Sequence, residues 1–252
     1  LGLGALSGAL VGFTLGLVGD GGSILAVPLM VYLVGVNSPH VAIGTSALAV
    51  AANAATGLLQ HARDHNVRWR CGFMYAGAGI VGALAGSTLG KNFDGQKLLF
   101  LFALLMIVVG ALMLRSRKAE GTPGAACNRR NAPKVLGYGL GTGAFSGFFG
   151  IGGGFLIVPG LIASTDMVMI NAVGTSLVAV TAFGLTTAAN YALSGLVDWA
   201  LAAVFILGGI GGGYFGTRLA KRLSGGGQLK TVFAGLIFVV AIYMLWKSWN
   251  AL

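Results

Sequence analysis

Charged residues are scarce in this chain. Only 9% of its 252 residues are Asp, Glu, Lys or Arg, whereas a soluble domain carries about 25%. Hydrophobic residues make up 56%, and the mean hydropathy is +0.86. This balance excludes an ordinary soluble domain. It predicts a multi-pass membrane protein, with the lipid bilayer as its first partner.

Histidine and glutamate are rarer still, which limits the chemistry that the chain can perform. Three histidines all lie in the first half, and Glu120 is the single glutamate. An HExxH zinc site is therefore excluded, and a serine in the second half has no histidine in that half to act as its base. An intramembrane enzyme is thus a weak alternative, and no metal or cofactor is expected.

Cysteine is limited to Cys71 and Cys127. Two cysteines are too few for a disulfide framework, so both are expected to be free thiols. The N-terminal stretch lacks the basic region of a cleavable signal peptide, and its apolar run continues into the predicted structure.

Basic residues outnumber acidic ones by 16 to 6, which gives a net charge of +10. They lie at or beyond the ends of the strongly apolar segments. That placement is typical of the positive-inside rule and of contact with lipid headgroups. Nucleic acid is therefore excluded as a partner.

The apolar segments form two matching sets, and each set contains one segment too short to span a membrane. A span needs about 20 residues. The sequence predicts an all-α fold with about five helical segments in each half. The first half (1–114) has spans at 1–19, 40–62, 71–90 and 97–114 and a short segment at 23–35. A basic linker at 115–134, predicted to be cytoplasmic, follows it. The second half (135–252) has spans at 135–150, 168–193, 199–217 and 229–248 and a short segment at 154–164.

Motifs recur between the halves at a spacing of about 131 residues. VGDGGSILAVP at 18–28 matches FGIGGGFLIVP at 149–159, and AIGTS at 42–46 matches AVGTS at 172–176. Internal repeats of this kind are typical of transporters. If each half crosses the membrane an odd number of times, 13 of the 16 basic residues share one side. The positive-inside rule then favours an inverted repeat with both termini outside.

Glycines cluster where each short segment begins. Gly19, Gly21 and Gly22 precede the first short segment, and Gly150, Gly152, Gly153 and Gly154 precede the second. A helix that starts inside the membrane presents unpaired amide groups and the positive end of its dipole, which together favour an anion. The alternative is that the glycines serve only close helix packing.

A polar stripe follows each glycine cluster. Ser46, Asn53 and Gln60 are seven residues apart and share one helix face, and the second half has Ser176, Phe183 and Asn190 at corresponding positions. These polar groups are predicted either to line a cavity or to make hydrogen bonds between helices.

Asp20 is the acidic residue that the repeat does not reproduce, because Ile151 occupies the matching position. A carboxylate at membrane depth indicates a functional role. Asp20 could carry a proton that couples transport to the proton gradient, or it could cap the short helix. Asp166 is expected to be the N-cap of the helix that follows it.

The duplicated GxGGG-xxxx-P block, the GTS that follows each copy and the two-fold repeat resemble the TauE/SafE sulfite exporter family, also called the 4-toluene sulfonate uptake permease family. The resemblance covers nearly the whole chain. It implies the movement of sulfite, sulfonates or related sulfur-containing anions, coupled to ions.

The sequence therefore predicts a secondary transporter of small sulfur-containing anions that exports its substrate by alternating access. Protons or another ion are the expected coupling partner, and homo-oligomerisation stays open. A passive anion channel is the alternative. Asp20 is the candidate coupling residue. The candidate substrate-binding residues are Gly21, Gly22, Ser23, Thr45, Ser46, Asn53, Gly152, Gly153, Gly154, Thr175, Ser176 and Asn190.

Overall fold

The computed structural model describes residues 2–18, 20–115, 122, 124–125, 127–223 and 228–249, and these parts of the chain are almost entirely helical. The helix bounds follow the apolar segments closely. The α-helices are α1 Gly2–Val18, α2 Ala26–Pro28, α3 Pro39–Arg63, α4 Trp69–Lys91, α5 Gly95–Arg115, α6 Ala132–Phe149, α7 Gly154–Thr165, α8 Met169–Ala192, α9 Trp199–Leu223 and α10 Gln228–Trp249.

A composite short helix connects α1 to α3. It begins as a 3-10 turn at Asp20–Leu25, continues as α2 and ends as a π turn at Leu29–Leu33. Pro28 has no N–H to donate, so regular α-helical pairing is interrupted around it. The prediction of a short segment here is confirmed, but its mixture of helix types was not predicted.

In the described part of the chain, four helices are long and apolar enough to cross a membrane. They are α3, α4, α8 and residues Trp199–Gly216 of α9. The composite short helix and α7 are apolar but shorter. Since α7 has 12 residues, it spans roughly 18 Å at 1.5 Å per residue, well below the thickness of the hydrocarbon core. The polytopic membrane fold predicted from composition is confirmed.

Helix pairs pack through glycine. The main pairs are α1 with α9, α4 with α6, and α3 with α8; α8 also packs against α4, and α10 against α5. Gly12 of α1 meets the backbone carbonyl of Gly209 in α9, and Gly143 of α6 meets that of Gly79 in α4, with no room for a Cβ atom. In a membrane such close backbone approach takes the place of the hydrophobic effect in holding helices together.

The expectation of free thiols was wrong. Cys71 at the start of α4 and Cys127 in the linker form a disulfide, with their Cα atoms 5.3 Å apart. Both residues are buried. The linker folds back onto the first turn of α4, a proximity that two cysteines 56 residues apart in sequence do not reveal.

The prediction that Asp166 is an N-cap was also wrong. Asp166 has a left-handed backbone with φ 57° and ends α7 as its C-cap. Its carboxylate accepts a hydrogen bond of 2.8 Å from the Thr122 hydroxyl. The residue that precedes α8 is Val168, which provides no side-chain cap.

Candidate functional site

The second glycine cluster makes a sharp turn between α6 and α7. Gly150, Gly152 and Gly153 all have left-handed backbones, with φ of 67°, 68° and 71°. Gly150 closes α6 by donating its N–H to the carbonyl of Ser146 at 2.8 Å. Glycine adopts this conformation without strain, so α6 can end at Phe149 and α7 can begin at Gly154, with four residues between them.

This turn lies at the middle of the helix bundle. A Cβ atom at Gly152 would lie 2.6 Å from Val50 Cγ1 and 3.1 Å from Val180 Cγ1. Val50 is the twelfth of 25 residues of α3 and Val180 is the twelfth of 24 residues of α8. The N-terminus of α7 therefore begins close to the midpoint of two membrane-spanning helices. The Leu156 N–H already donates to the Gly153 carbonyl at 2.9 Å, so the amides that precede it, those of Gly154 and Phe155, are the candidate donors for a ligand.

The first glycine cluster comes to the same region. Gly21 and Gly22 lie in the 3-10 turn at Asp20–Leu25, which packs against α7 and α8. Ser23 in this turn is fully buried. Gly19 and the side chain of Asp20 lie outside the described residues. The turn that begins the first short helix thus packs against the second short helix, although the two lie more than 100 residues apart in sequence.

The hydroxyl groups of the two GTS motifs have protein partners. Thr45 Oγ1 accepts a hydrogen bond from the Asp198 N–H at 3.0 Å, and Thr175 Oγ1 accepts one from the Arg68 N–H at 2.9 Å. Ser46 donates to the carbonyls of Ile43 at 3.0 Å and Gly150 at 3.4 Å. Ser46 thereby attaches α3 directly to the second glycine turn.

Ser176, in the second GTS motif, donates to the carbonyl of Val173 at 2.7 Å. All four hydroxyls of the GTS motifs therefore form hydrogen bonds with backbone groups in this conformation. They could still bind a substrate after a conformational change, so their role in binding stays a prediction.

Asn53 differs from these residues. It is 8% exposed, and neither its Oδ1 nor its Nδ2 atom has a hydrogen-bond partner in the described part of the chain. It faces Gly209 of α9, where a Cβ atom would collide with the amide. Asn53 lies one helical turn beyond Val50 on α3. A buried primary amide without partners is costly, so this side chain can still bind a polar ligand.

Asn190 is not part of the central region. Its Nδ2 atom donates to Ser87 Oγ at 2.6 Å and to Thr88 Oγ1 at 3.1 Å. Lys91 Nζ donates to Asn190 Oδ1 at 2.8 Å, to the Asn190 carbonyl at 3.1 Å and to Ser194 Oγ at 2.9 Å. This cluster lies where α4 and α8 end. Ser87 and Lys91 are four residues apart on one face of α4, the spacing that could have revealed it.

An apolar groove of about 470 Å³ lies between α5, α6 and the first turn of α7. It is lined by Leu105 of α5, Tyr138 and Phe145 of α6 and Leu156 of α7, with Lys134 beside them. Tyr138 and Phe145 are exposed. None of the predicted site residues lines this groove, and its surface suits an acyl chain better than a small anion.

Comparison with known proteins identifies the family. The family model described as "Sulfite exporter TauE/SafE" matches residues 4–244. The chain belongs to the sulfite exporter TauE/SafE family. The resemblance found in the glycine and GTS motifs is confirmed.

Relatives of this TauE/SafE protein are named as membrane transporters. A "Probable membrane transporter protein" of Xylella fastidiosa strain 9a5c is 54% identical, with 98% of this chain and 95% of the relative aligned. The "Probable membrane transporter protein YdhB" of Bacillus subtilis is 26% identical, with 91% and 92% aligned. No solved structure matches the chain. Together with its apolar spans, these relatives establish the chain as a multi-pass membrane transporter protein of the cell membrane.

The glycine turn of this TauE/SafE protein predicts an unequal effect of two matched substitutions. Gly195→Ala should cost about 1–2 kcal/mol of folding free energy, because Gly195 has φ 70° but open space around it. Gly152→Ala adds a collision with Val50 and should cost a further 1–3 kcal/mol or so. Thermal unfolding of the purified variants in detergent measures both. Equal melting temperatures would contradict the tight packing of Gly152 at the bundle centre.

Proposed function

We propose that this protein is a secondary transporter of small sulfur-containing anions, such as sulfite or an organosulfonate. Its substrate binds between the two glycine clusters, and ion-coupled export proceeds by alternating access. The family description and the names of the relatives support a transporter. The substrate class rests on the family description and on the chemistry of the central region.

The carrying observation is the position of the second glycine turn. A left-handed turn of glycines begins a half-length helix against the twelfth residues of α3 and α8. Irregular backbone survives at membrane depth only where it is buried in protein or lines a cavity. In transporters, half-length helices whose N-termini point inward form sites for anionic groups.

The donors near this turn suit a sulfur oxyanion. The Gly154 and Phe155 amides at the start of α7 and the amide nitrogen of Asn53 are neutral hydrogen-bond donors, and the positive end of the α7 dipole adds to their attraction. Neutral donors can release an anion more readily than a buried cation would. This suits a carrier, which must bind and then let go of its substrate.

We further propose that the two halves form an inverted repeat. Thr45 and Thr175 are 130 residues apart, and so are Arg68 and Asp198, so each pair holds equivalent positions in the two halves. Thr45 of the first half bonds to Asp198 of the second, and Thr175 of the second half bonds to Arg68 of the first. The glycine contacts between helices follow the same pattern. Helix α1 corresponds to α6 and α4 corresponds to α9, and α1 packs on α9 as α6 packs on α4. Exchanged contacts of this kind are expected for a pseudo-two-fold axis.

The direction of the central helices supports inversion. In the α3–α8 pair Gly44 meets Tyr191, and Gly184 meets Ala51, so the two helices run antiparallel. They hold equivalent places in the two halves, as the second long helix of each. Equivalent helices that run in opposite directions require repeats of opposite topology. One half rocking against the other would then open the central region to each side in turn.

The charge bias supports a cytoplasmic linker with both termini outside. The Cys71–Cys127 disulfide favours the opposite orientation, because disulfides persist mainly in oxidising compartments. We expect the orientation to follow the charge bias, with both termini outside. A single cysteine added after residue 252 of a variant without Cys71 and Cys127 should react with a membrane-impermeant maleimide added to intact cells. Labelling only after lysis would overturn the orientation.

The function is tested by flux in proteoliposomes. Sulfite, thiosulfate, sulfoacetate, taurine and sulfate are each offered with and without a proton gradient. We expect at least one sulfur-containing anion to move uphill when a gradient is imposed. Movement that is only downhill and does not saturate would favour the channel alternative. No binding and no flux for any of the five would remove the proposed function.

The coupling role of Asp20 is tested separately. Asp20→Asn cannot change its protonation state, so it should abolish proton-driven uphill flux and retain anion exchange. The measurement compares both modes in the same proteoliposomes, with wild-type protein as the control. If Asp20→Asn keeps proton-driven flux, Asp20 is a helix cap or another structural residue.

A further inference from the structure

We propose that the seam between α4 and α8 carries two docking stations for the transported anion, one at each membrane face. The stations are built on Lys91 and on Arg68. This inference rests on the proposed anion transport and concerns residues outside the central region. It assigns a binding role to two cations that lie outside the glycine and GTS motifs.

Lys91 forms the first station. In the described part of the chain each acceptor of its ammonium group is neutral: the Oδ1 and carbonyl oxygens of Asn190 and the hydroxyl of Ser194. Three hydrogen bonds fix the position of the ammonium, yet its positive charge is not compensated by a carboxylate among them. A fixed, uncompensated charge attracts an anion with little loss of side-chain entropy.

An unpartnered hydroxyl lies beside this station. Tyr191 follows Asn190 on α8 and is fully buried, and its OH has no hydrogen-bond partner in the described part of the chain. A Cβ atom at Gly90, the neighbour of Lys91, would lie 3.3 Å from that OH. A buried hydroxyl without a partner is costly, and it could donate to an oxyanion that approaches Lys91.

Arg68 forms the second station at the opposite end of the same helix. With the Asn171 amide oxygen directed at the guanidinium, it accepts from Arg68 Nε at 3.1 Å and from Nη2 at 3.2 Å. Asn171 is the third residue of α8 and is 8% exposed. The remaining N–H groups of Arg68 can bind an oxyanion, since the fork of a guanidinium offers five donors.

An unpartnered ring nitrogen lies beside the second station as well. His61 Nδ1 is buried and has no partner among the described residues, and a Cβ atom at Gly174 would lie 3.2 Å from it. Gly174 precedes Thr175, which accepts the Arg68 N–H. His61 and Tyr191 are 130 residues apart, so they hold equivalent positions in the two halves.

The two stations lie on opposite sides of the membrane. Arg68 is the N-cap of α4 and Lys91 is its last residue, 23 helical residues apart. At 1.5 Å per residue these positions are separated by roughly 35 Å, slightly more than the roughly 30 Å of the hydrocarbon core. Each station therefore meets an anion in a different compartment before or after it crosses.

The test is sided transport kinetics in right-side-out and inside-out membrane vesicles, with the anion of the five-member panel that the wild-type protein moves fastest. Lys91→Gln keeps a donor but removes the charge. It should raise KM on the order of 10-fold for anion offered at the Lys91 face, with an unchanged maximal rate. KM at the other face should not change. Arg68→Gln should give the converse result.

Matched controls separate docking from general surface charge. Lys97→Gln removes one charge at the Lys91 face, and Arg70→Gln removes one at the Arg68 face; both side chains are exposed. We expect each to leave KM within about two-fold, because exposed charges are largely screened by salt. Asn190→Asp should raise KM as Lys91→Gln does, since it neutralises the station. Lys91→Arg should restore wild-type KM.

The outcomes are distinct. If the wild-type protein moves none of the five anions, the proposed function and the docking stations both fall. If it moves at least one anion but Lys91→Gln and Lys97→Gln have the same KM at the Lys91 face, only the docking stations are ruled out. Lipid headgroups are the other source of oxyanions. Phosphatidylglycerol could stabilise the wild-type protein against heat but not the Lys91→Gln variant, while the variant keeps the wild-type KM in phosphatidylcholine vesicles. That result would assign Lys91 to a lipid headgroup and overturn the proposal.

Discussion

Backbone amides cannot stay unpaired in hydrocarbon, and each short helix of this protein begins where that constraint is hardest to meet. At the second glycine turn the chain reverses within three left-handed residues and restarts a helix at the level of Val50 and Val180. The surrounding helices must therefore enclose this point completely. Ile43 and Val50 of α3, Val180 of α8 and Ser146 of α6 pack directly against it. At the proposed anion site, an incoming substrate would give those amides a partner.

Much of the fold could be predicted from the sequence. The predicted span at 40–62 became Pro39–Arg63, and the one at 71–90 became Trp69–Lys91, because long apolar runs bounded by polar residues have few alternatives in a membrane. The disulfide could not be predicted, since a linker's path over the protein surface leaves no periodic signal. Asp166 was misassigned for a local reason: aspartate tolerates the left-handed conformation, so it can end a helix as well as begin one.

The candidate site was predicted only in part. Each glycine cluster was correctly placed at the start of a short helix, but the polar stripe was treated as one surface. Ser176 and Asn190 are 14 residues apart, which a helix converts to about 21 Å. One small pocket cannot hold both, and the structure has Asn190 beside Lys91 at the end of α8. A shared depth in the membrane is thus a better criterion than a shared helix face for deciding which residues can line one site. Asn53 is the stripe residue that combines central height, burial and an unpaired amide.

The central claim is that the region between the glycine clusters and Asn53 binds an oxyanion. Calorimetric titration of sulfite into purified wild-type and Asn53→Leu protein tests it most directly. The account predicts that Asn53→Leu is at least as stable as wild type without ligand, because an unpaired buried amide is removed. It also predicts that the variant binds sulfite at least 10-fold more weakly, about 1.4 kcal/mol. Wild-type affinity in the Asn53→Leu variant would contradict the account.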